Sequence, residues 1–375
     1  MDEVNFKEDP DDQKWREVAK EMLPRLVLLR EWREWHAEPQ RHAFVVEVAG
    51  MPKAGKSSAI SNLRHYFRYG PTLLDPPAEG YEVDTPAEGV SLRTPGYLKD
   101  GILVDFNTWA GAYAIQELLQ ARHNTHHDLV LLDRGPWDAS CWLEYCQNTQ
   151  KVRAKGDPEE VARIVNFFRQ DGWTTQADLH VVLVVDPDEA KKRERQERLI
   201  EATSAPTFRD DLMHDLKDIY QRQFFSIGST VGLQQAKSKA CEHVGEHGAK
   251  FIDTTEKKPK EIAVEIIGAI FKVLELKNGK RAGDWADSLV AELLDLNIGK
   301  AQEQAVKNHL ASPTFLSLVP PRRRNEIPAI IREVKSTLVN ASPQLPKGTR
   351  RVAARSTAEG NIISMIEDAV KKAMG

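Results

Sequence analysis

Gly50-Met51-Pro52-Lys53-Ala54-Gly55-Lys56-Ser57 is an unbroken GxxxxGK[ST] stretch, and its flanks constrain the fold as strongly as the motif itself. The apolar run Phe44-Val45-Val46-Glu47-Val48 before it reads as a buried strand, and Ser58 to Tyr69 after it reads as a helix. A strand that turns through glycines into a helix aims successive backbone N–H groups at one point. The helix N-terminus adds positive partial charge there, so the turn can cradle a polyphosphate. On this reading Gly50, Lys53, Gly55, Lys56, Ser57 and Ser58 form a nucleotide-binding loop of the Walker A type. Lys56 meets the β- and γ-phosphates of ATP, and the Ser57 hydroxyl holds Mg²⁺.

The rest of the composition narrows the class. At 375 residues the chain has room for more than one domain, and 41% hydrophobic with 29% charged residues is ordinary for a soluble globular protein. No apolar run approaches the roughly 20 residues of a membrane helix, and the acidic start MDEVNFKEDPDD is unlike a signal peptide, so the expected location is cytoplasmic, with no membrane partner. Cys141, Cys146 and Cys241 lack both disulfide-framework numbers and zinc-ligand spacing. The net charge of −4 is unevenly spread: residues 301–375 hold 12 Lys or Arg against 6 acids, or +6, which leaves −10 for everything before residue 301. Such asymmetry marks either a part that meets an anionic partner or an ordinary solvated charged face.

Taken in order, residues 1–12 read as disordered. Helical spacing of Trp15, Val18, Met22, Leu26 and Leu29 predicts a helix from Lys14 to His36, kinked or broken at Pro24, that packs on the core or serves as a subunit contact. The Pro- and Gly-rich stretch from Gly70 to Gly101 predicts a long functional loop, with the second strand starting near Thr72-Leu73-Leu74 or Tyr81-Glu82-Val83. Its acids Asp75, Glu79, Asp84 and Glu88 are candidate catalytic bases. A helix is expected over residues 102–122, then a buried strand, Asp128 to Asp133, that ends in a carboxylate.

In a doubly wound parallel sheet ligands bind beyond the carboxyl ends of the strands, which places Asp133 at Mg²⁺ and Arg134 beside the transferred phosphate, with Gly135 for close backbone approach. A helical region broken near Gly156-Asp157-Pro158 follows, then a strand over Leu179–Val185 and a charged helix, Lys191 to Arg198. Arg195 and Arg198 share one side of that helix and are candidate lid arginines. Lys250–Asp253 is the expected last strand, followed by an amphipathic helix, Pro259 to Leu276. Beyond Asn278 only helices are expected: one capped by Asp284, one near Glu326 to Val339, and one with Ile362, Ile366 and Ala369 after a connector over Pro343–Arg355. The division that follows is an N-terminal helical extension over 1–40, an α/β domain over 41–277 and a basic helical domain over 278–375.

At Asp133-Arg134-Gly135-Pro136-Trp137-Asp138 the chain resembles the P-loop kinases of the thymidylate kinase and deoxynucleoside kinase superfamily, including the nicotinamide riboside kinase branch. The resemblance spans about residues 43–276 and takes in VDPDEAKKR at the entry to a lid and the Ile252-Asp253-Thr254-Thr255 turn that in relatives lies against adenine. It implies a P-loop NTPase three-layer α/β domain with a mainly parallel five-stranded sheet in the order 2-3-1-4-5, ATP and Mg²⁺ as cofactors, and phosphorylation of a hydroxyl or phosphate. Glu88 and Arg93 look like the Glu and Arg that relatives place after strand two. The long stretch from Gly70 to Gly101 and the C-terminal region depart from compact nucleotide kinases.

Three readings follow. One is an ATP-dependent phosphotransferase acting on a nucleoside, nucleotide or related small acceptor, with Lys56, Asp133, Arg134, Arg195 and Arg198 on the transferring phosphate and Glu88 or Asp133 as base. A second places the acceptor hydroxyl on DNA or RNA held by the basic C-terminal region. The third is a regulatory ATPase with no acceptor. Oligomerisation is compatible with all three.

Overall fold

The computed structural model describes residues 10–35, 42–74, 77–86, 103–123, 126–148, 157–197, 210–230, 242–244, 248–291, 300–319, 321–341 and 353–374. Contacts divide the chain into one unit of Met1–Arg33 with Glu38–Leu274 and another of Glu34–Ala37 with Glu275–Gly375.

In the first unit two N-terminal helices, α1 (Pro10–Glu21) and α2 (Val27–Trp35), are separated by a 3₁₀ turn, Leu23–Leu26, that holds Pro24. Proline ends α1 because it has no N–H for the ladder. Helix already begins at Pro10, inside the stretch expected to be disordered; residues 1–9 lie outside the described residues. Leu23, Leu26, Leu29 and Trp32 are buried in the main core, where the Trp32 ring meets Phe44 edge-on with centroids 5.4 Å apart.

The α/β elements follow as β1 (Phe44–Gly50), α3 (Lys56–Tyr69), β2 (Val83–Asp84), α4 (Leu103–His123), β3 (Leu129–Asp133), α5 (Pro136–Asn148), α6 (Pro158–Phe168), the single turn α7 (Asp171–Thr174), β4 (Leu179–Val184), α8 (Pro187–Glu197), α9 (Asp210–Thr230), β5 (Glu242–Val244), β6 (Gly248–Asp253) and α10 (Pro259–Ala291). The sheet order is β2-β3-β1-β4-β6-β5, with the first five strands parallel and β5 antiparallel at the edge. This is the expected order with one further strand, and the fold is that of a P-loop NTPase-type α/β domain. Every residue of β1 is buried, so the strand reads as a continuous apolar run broken only by Glu47. Phe44, Val46 and Val48 belong to the larger core, while Val45 joins Leu118, Val130 and Leu132 in a smaller cluster. α3 buries Ala59, Ile60, Leu63 and Phe67, the helical stripe that presses it onto the sheet. The break expected near Gly156 is the entry to α6, where the Asp157 carboxylate accepts from the Glu159 N–H and Pro158 stands at the first helical position.

Two expectations are corrected. Residues 70–73 form a 3₁₀ turn, so of the two candidate starts for the second strand only the Tyr81-Glu82-Val83 stretch leads into it. Asp284 caps no new helix: it lies inside α10, which runs unbroken to Ala291 because no proline or capping turn interrupts residues 260–291.

In the second unit α11 (Lys300–Leu310), α12 (Pro313–Leu318), α13 (Ile327–Ala341) and α14 (Ala353–Met374) share a core of Leu289, Val306, Leu310, Phe315, Ile331 and Ile366, among others. Most of the expected connector over 343–355 lies outside the described residues. Among the described residues no helix is long and apolar enough to cross a membrane.

Candidate functional site

The carboxyl end of β1 turns at Gly50, whose φ of 141° is open to glycine and strained for other residues. Its N–H donates to the Asp138 carboxylate at 2.9 Å, and a Cβ there would stand 2.0 Å from the Leu183 carbonyl oxygen. The Met51 N–H then donates to that same Leu183 carbonyl at 3.0 Å, so the loop leaves β1 clamped to β4. Lys53 is held at φ 59° and Gly55 at φ 89°. A left-handed lysine is uncommon and collects where surrounding contacts over-determine the backbone. Here the Lys53 ammonium pairs with Glu194 of α8 at 2.8 Å and its carbonyl accepts from Arg193 at 3.2 Å. Lys56 opens α3, and its buried ammonium donates to the Gly50 and Met51 carbonyls at 2.9 Å each.

Across the loop, β3 delivers Asp133 and Arg134. The Ser57 hydroxyl donates to the Asp133 carboxylate at 3.4 Å, so two hard oxygen donors, one from the start of α3 and one from the end of β3, lie side by side. That donor set fits Mg²⁺, which takes one or two protein oxygens and completes its octahedron with phosphates and water. Among the described residues there is no cluster of three or more metal-ligating side chains. Arg134 has φ 67°. Its guanidinium donates to Asp138 at 2.8 Å and lies 5.6 Å from the centre of the Trp142 ring. Arg134 is therefore paired with Asp138, four residues on, and the two residues that form the strand-end motif both face the loop.

Gly135 makes room for something other than a ligand. A Cβ there would lie 2.2–2.5 Å from the carboxylate atoms of Glu47, which is buried in the middle of β1. Glu47 accepts the Asp138 N–H at 3.0 Å and pairs with the buried His180 of β4 at 3.3 Å. Burial works to lower the His180 pKa, but the Glu47 hydrogen bond and charge, the Thr174 carbonyl and Asp178 outweigh it, and the net shift is upward.

These elements enclose a cleft of about 940 Å³ that contains Lys53, Gly55, Lys56, Ser57, Ser58, Asp133 and Arg134. Its far wall is Glu189, Lys192, Arg193 and Gln196 of α8 and the turn from Thr255 to Pro259. Seven cationic and three acidic side chains line it, a balance suited to a polyphosphate.

Of the residues singled out in the sequence, the phosphate-loop residues, Asp133 and Arg134 come together here. Arg195 is exposed on the last turn of α8 and is not in the cleft wall; Arg193 takes the inward position, two residues earlier and therefore about 200° away around the helix. The Arg193 guanidinium donates to the Thr254 carbonyl at 2.6 Å and the Thr255 carbonyl at 3.1 Å, which ties α8 to the turn after β6. Arg198, Glu88, Arg93 and Asp75 lie outside the described residues. Glu79 is exposed, and Asp84 stands 3.9 Å from His127. Sequence reasoning also missed a cluster in which the buried Glu144 of α5 accepts from Arg169, from Arg222 and, at 2.6 Å, from Gln223, joining α5, α9 and the end of α6. Glu144 and Arg222 are 78 positions apart, beyond any local pattern.

The strand order, the loop geometry and the strand-end carboxylate beside the loop serine define a P-loop NTPase-type α/β fold. No family model and no curated protein sequence matches the chain. Among solved structures it is similar to a thymidylate kinase from Candida albicans at 11% identity and a TM-score of 0.37, with 61% of this chain and 91% of that chain covered.

Proposed function

We propose that the chain is an ATP-dependent phosphotransferase that moves the γ-phosphoryl group to a hydroxyl or phosphate of a nucleoside, nucleotide or related small acceptor. The observation that carries this reading is the convergence of Lys56, the Ser57–Asp133 pair at 3.4 Å and Arg134 in one cationic cleft. Phosphoryl transfer asks a protein for placement and charge neutralisation more than for covalent chemistry. Lys56 and the loop amides hold the β- and γ-phosphates, Arg134 meets charge on the transferring group, and Arg193 with the Thr254–Thr255 turn borders the side left for the base. Mg²⁺, held through Ser57 and Asp133, supplies neutralisation of the phosphate oxygens when bound.

The polynucleotide reading has less support. Two arginines of the run at 322–324 are engaged in the fold of their own unit: Arg323 pairs with Glu326 at 2.9 Å and donates to the Ala373 carbonyl, while Arg324 is buried. Lys307 and Lys371 pair with Asp287 and Glu367. Local acids thus offset several of the charges that would have to neutralise nucleic-acid phosphates.

The test is ADP release from ATP and Mg²⁺ with nucleosides, nucleoside monophosphates or oligonucleotides added in turn. Acceleration by a monomer supports the proposal. Acceleration by an oligonucleotide alone moves the acceptor onto a polymer, and a rate indifferent to every addition leaves an ATPase without an acceptor.

A further inference from the structure

Asp138 stands in the first turn of α5, 1% exposed, and its carboxylate is a junction of three elements. Oδ1 accepts the Gly50 N–H at 2.9 Å and the Tyr220 hydroxyl of α9 at 2.6 Å, while Oδ2 accepts from the Arg134 guanidinium at 2.8 Å. Its own N–H is anchored on Glu47 at 3.0 Å. One carboxylate therefore holds the first amide of the phosphate loop and the arginine at the end of β3. We infer that Asp138 is a positioning residue for phosphoryl transfer, fixing the Arg134 guanidinium relative to the phosphate loop, with Tyr220 holding the carboxylate in place. The inference rests on reading the cleft as a phosphoryl-transfer site.

The physical argument is one of placement. Arg134 has a strained backbone, at φ 67°, and a long side chain with many rotamers. A guanidinium that must meet charge developing on the transferring group gains most when it is held before the substrate arrives. Asp138 grips it on one side and the Trp142 ring faces it at 5.6 Å. Because the same carboxylate binds Gly50, a shift of either partner is transmitted to the other. Tyr220 belongs to a shell behind this junction: it is buried, and both burial and the Asp138 charge push its pKa well up, so it stays a neutral donor.

The variants separate positioning from structure. Asp138→Asn keeps an acceptor for Gly50 and Tyr220 but turns an amide N–H₂ toward the arginine, so the Arg134 contact is lost selectively. With ATP, Mg²⁺ and a mixture of natural nucleosides and their monophosphates, we expect kcat for ADP release to fall by about 10–100-fold, the cost of a misplaced group, with KM for ATP within about threefold and melting temperature nearly kept. In an Arg134→Ala background the same substitution should cost less than about twofold, because residues acting as a unit are not additive. Tyr220→Phe, a gentler change that serves if Asp138→Asn does not fold, should lower kcat several-fold and likewise lose its effect once Arg134 is gone. A folded Asp138→Asn with unchanged kcat, or equal fold-losses in both backgrounds, would overturn the inference while leaving the transfer reading standing. Wild-type protein that neither binds nor turns over ATP would overturn both.

Discussion

Gly50 shows how one residue type can be required twice at a single position: by a φ of 141° and by a Leu183 carbonyl that leaves 2.0 Å for a Cβ. Gly50→Ala should therefore destabilise the protein by about 1–3 kcal/mol or more and weaken nucleotide binding, measurable by melting and by titration with a fluorescent ATP analogue. Lys56→Ala leaves the buried Gly50 and Met51 carbonyls without their ammonium donor, and should cost about 1–3 kcal/mol of stability while lowering turnover by about 100-fold or more.

The buried Glu47–His180 pair makes a different prediction. His180 has a raised pKa in the folded protein, so its contribution to stability is fully present below its unfolded value of about 6.5 and is lost as pH rises through the raised value. Melting temperature followed from pH 6 upward should fall along this limb in the wild type and fall less in His180→Gln. Identical limbs would show that His180 is not the group responsible.

At the scale of elements, α8 carries the clearest lesson about what the sequence reveals. Its position after β4 was legible, because the buried strand and the Asp-Pro helix start are local signals. Which of its arginines faces inward was not. Arg195 and Arg193 belong to one charged run, and only the packing of α8 against the loop and the turn after β6 selects Arg193. Arg193→Ala should weaken ATP binding by about tenfold, since three carbonyl contacts are lost, whereas Arg195→Ala should change it by less than twofold. Equal effects from the two would mean that α8 turns its other face to the nucleotide. The loop residues and the Asp133-Arg134 strand end were readable because each motif is contiguous and sits at a strand end. The contacts that set their geometry were not, since Asp138 reaches Gly50 across 88 positions and Tyr220 across 82.

At the scale of the whole molecule, the two units have separate cores, and the helix capped by Asp284 in the sequence reading is the far part of α10. Periodicity alone could not join them, because Asp284 is as good a helix starter as it is a tolerated surface residue. The positive excess of residues 301–375 was legible as a number but not as a surface: Arg323 and Lys371 pair with acids three or four residues away at helical spacing, whereas Lys307 meets Asp287 of α10 only in the folded bundle.

The decisive measurement is the destination of the γ-phosphoryl group. Wild-type protein and Lys56→Ala are incubated with ATP labelled at the γ-position, Mg²⁺, and nucleosides with their monophosphates, and the products are separated. We expect the label on a small acceptor with wild type and none there with Lys56→Ala. Label that stays in ATP, or that appears only as inorganic phosphate whatever acceptor is supplied, would contradict the proposed transfer.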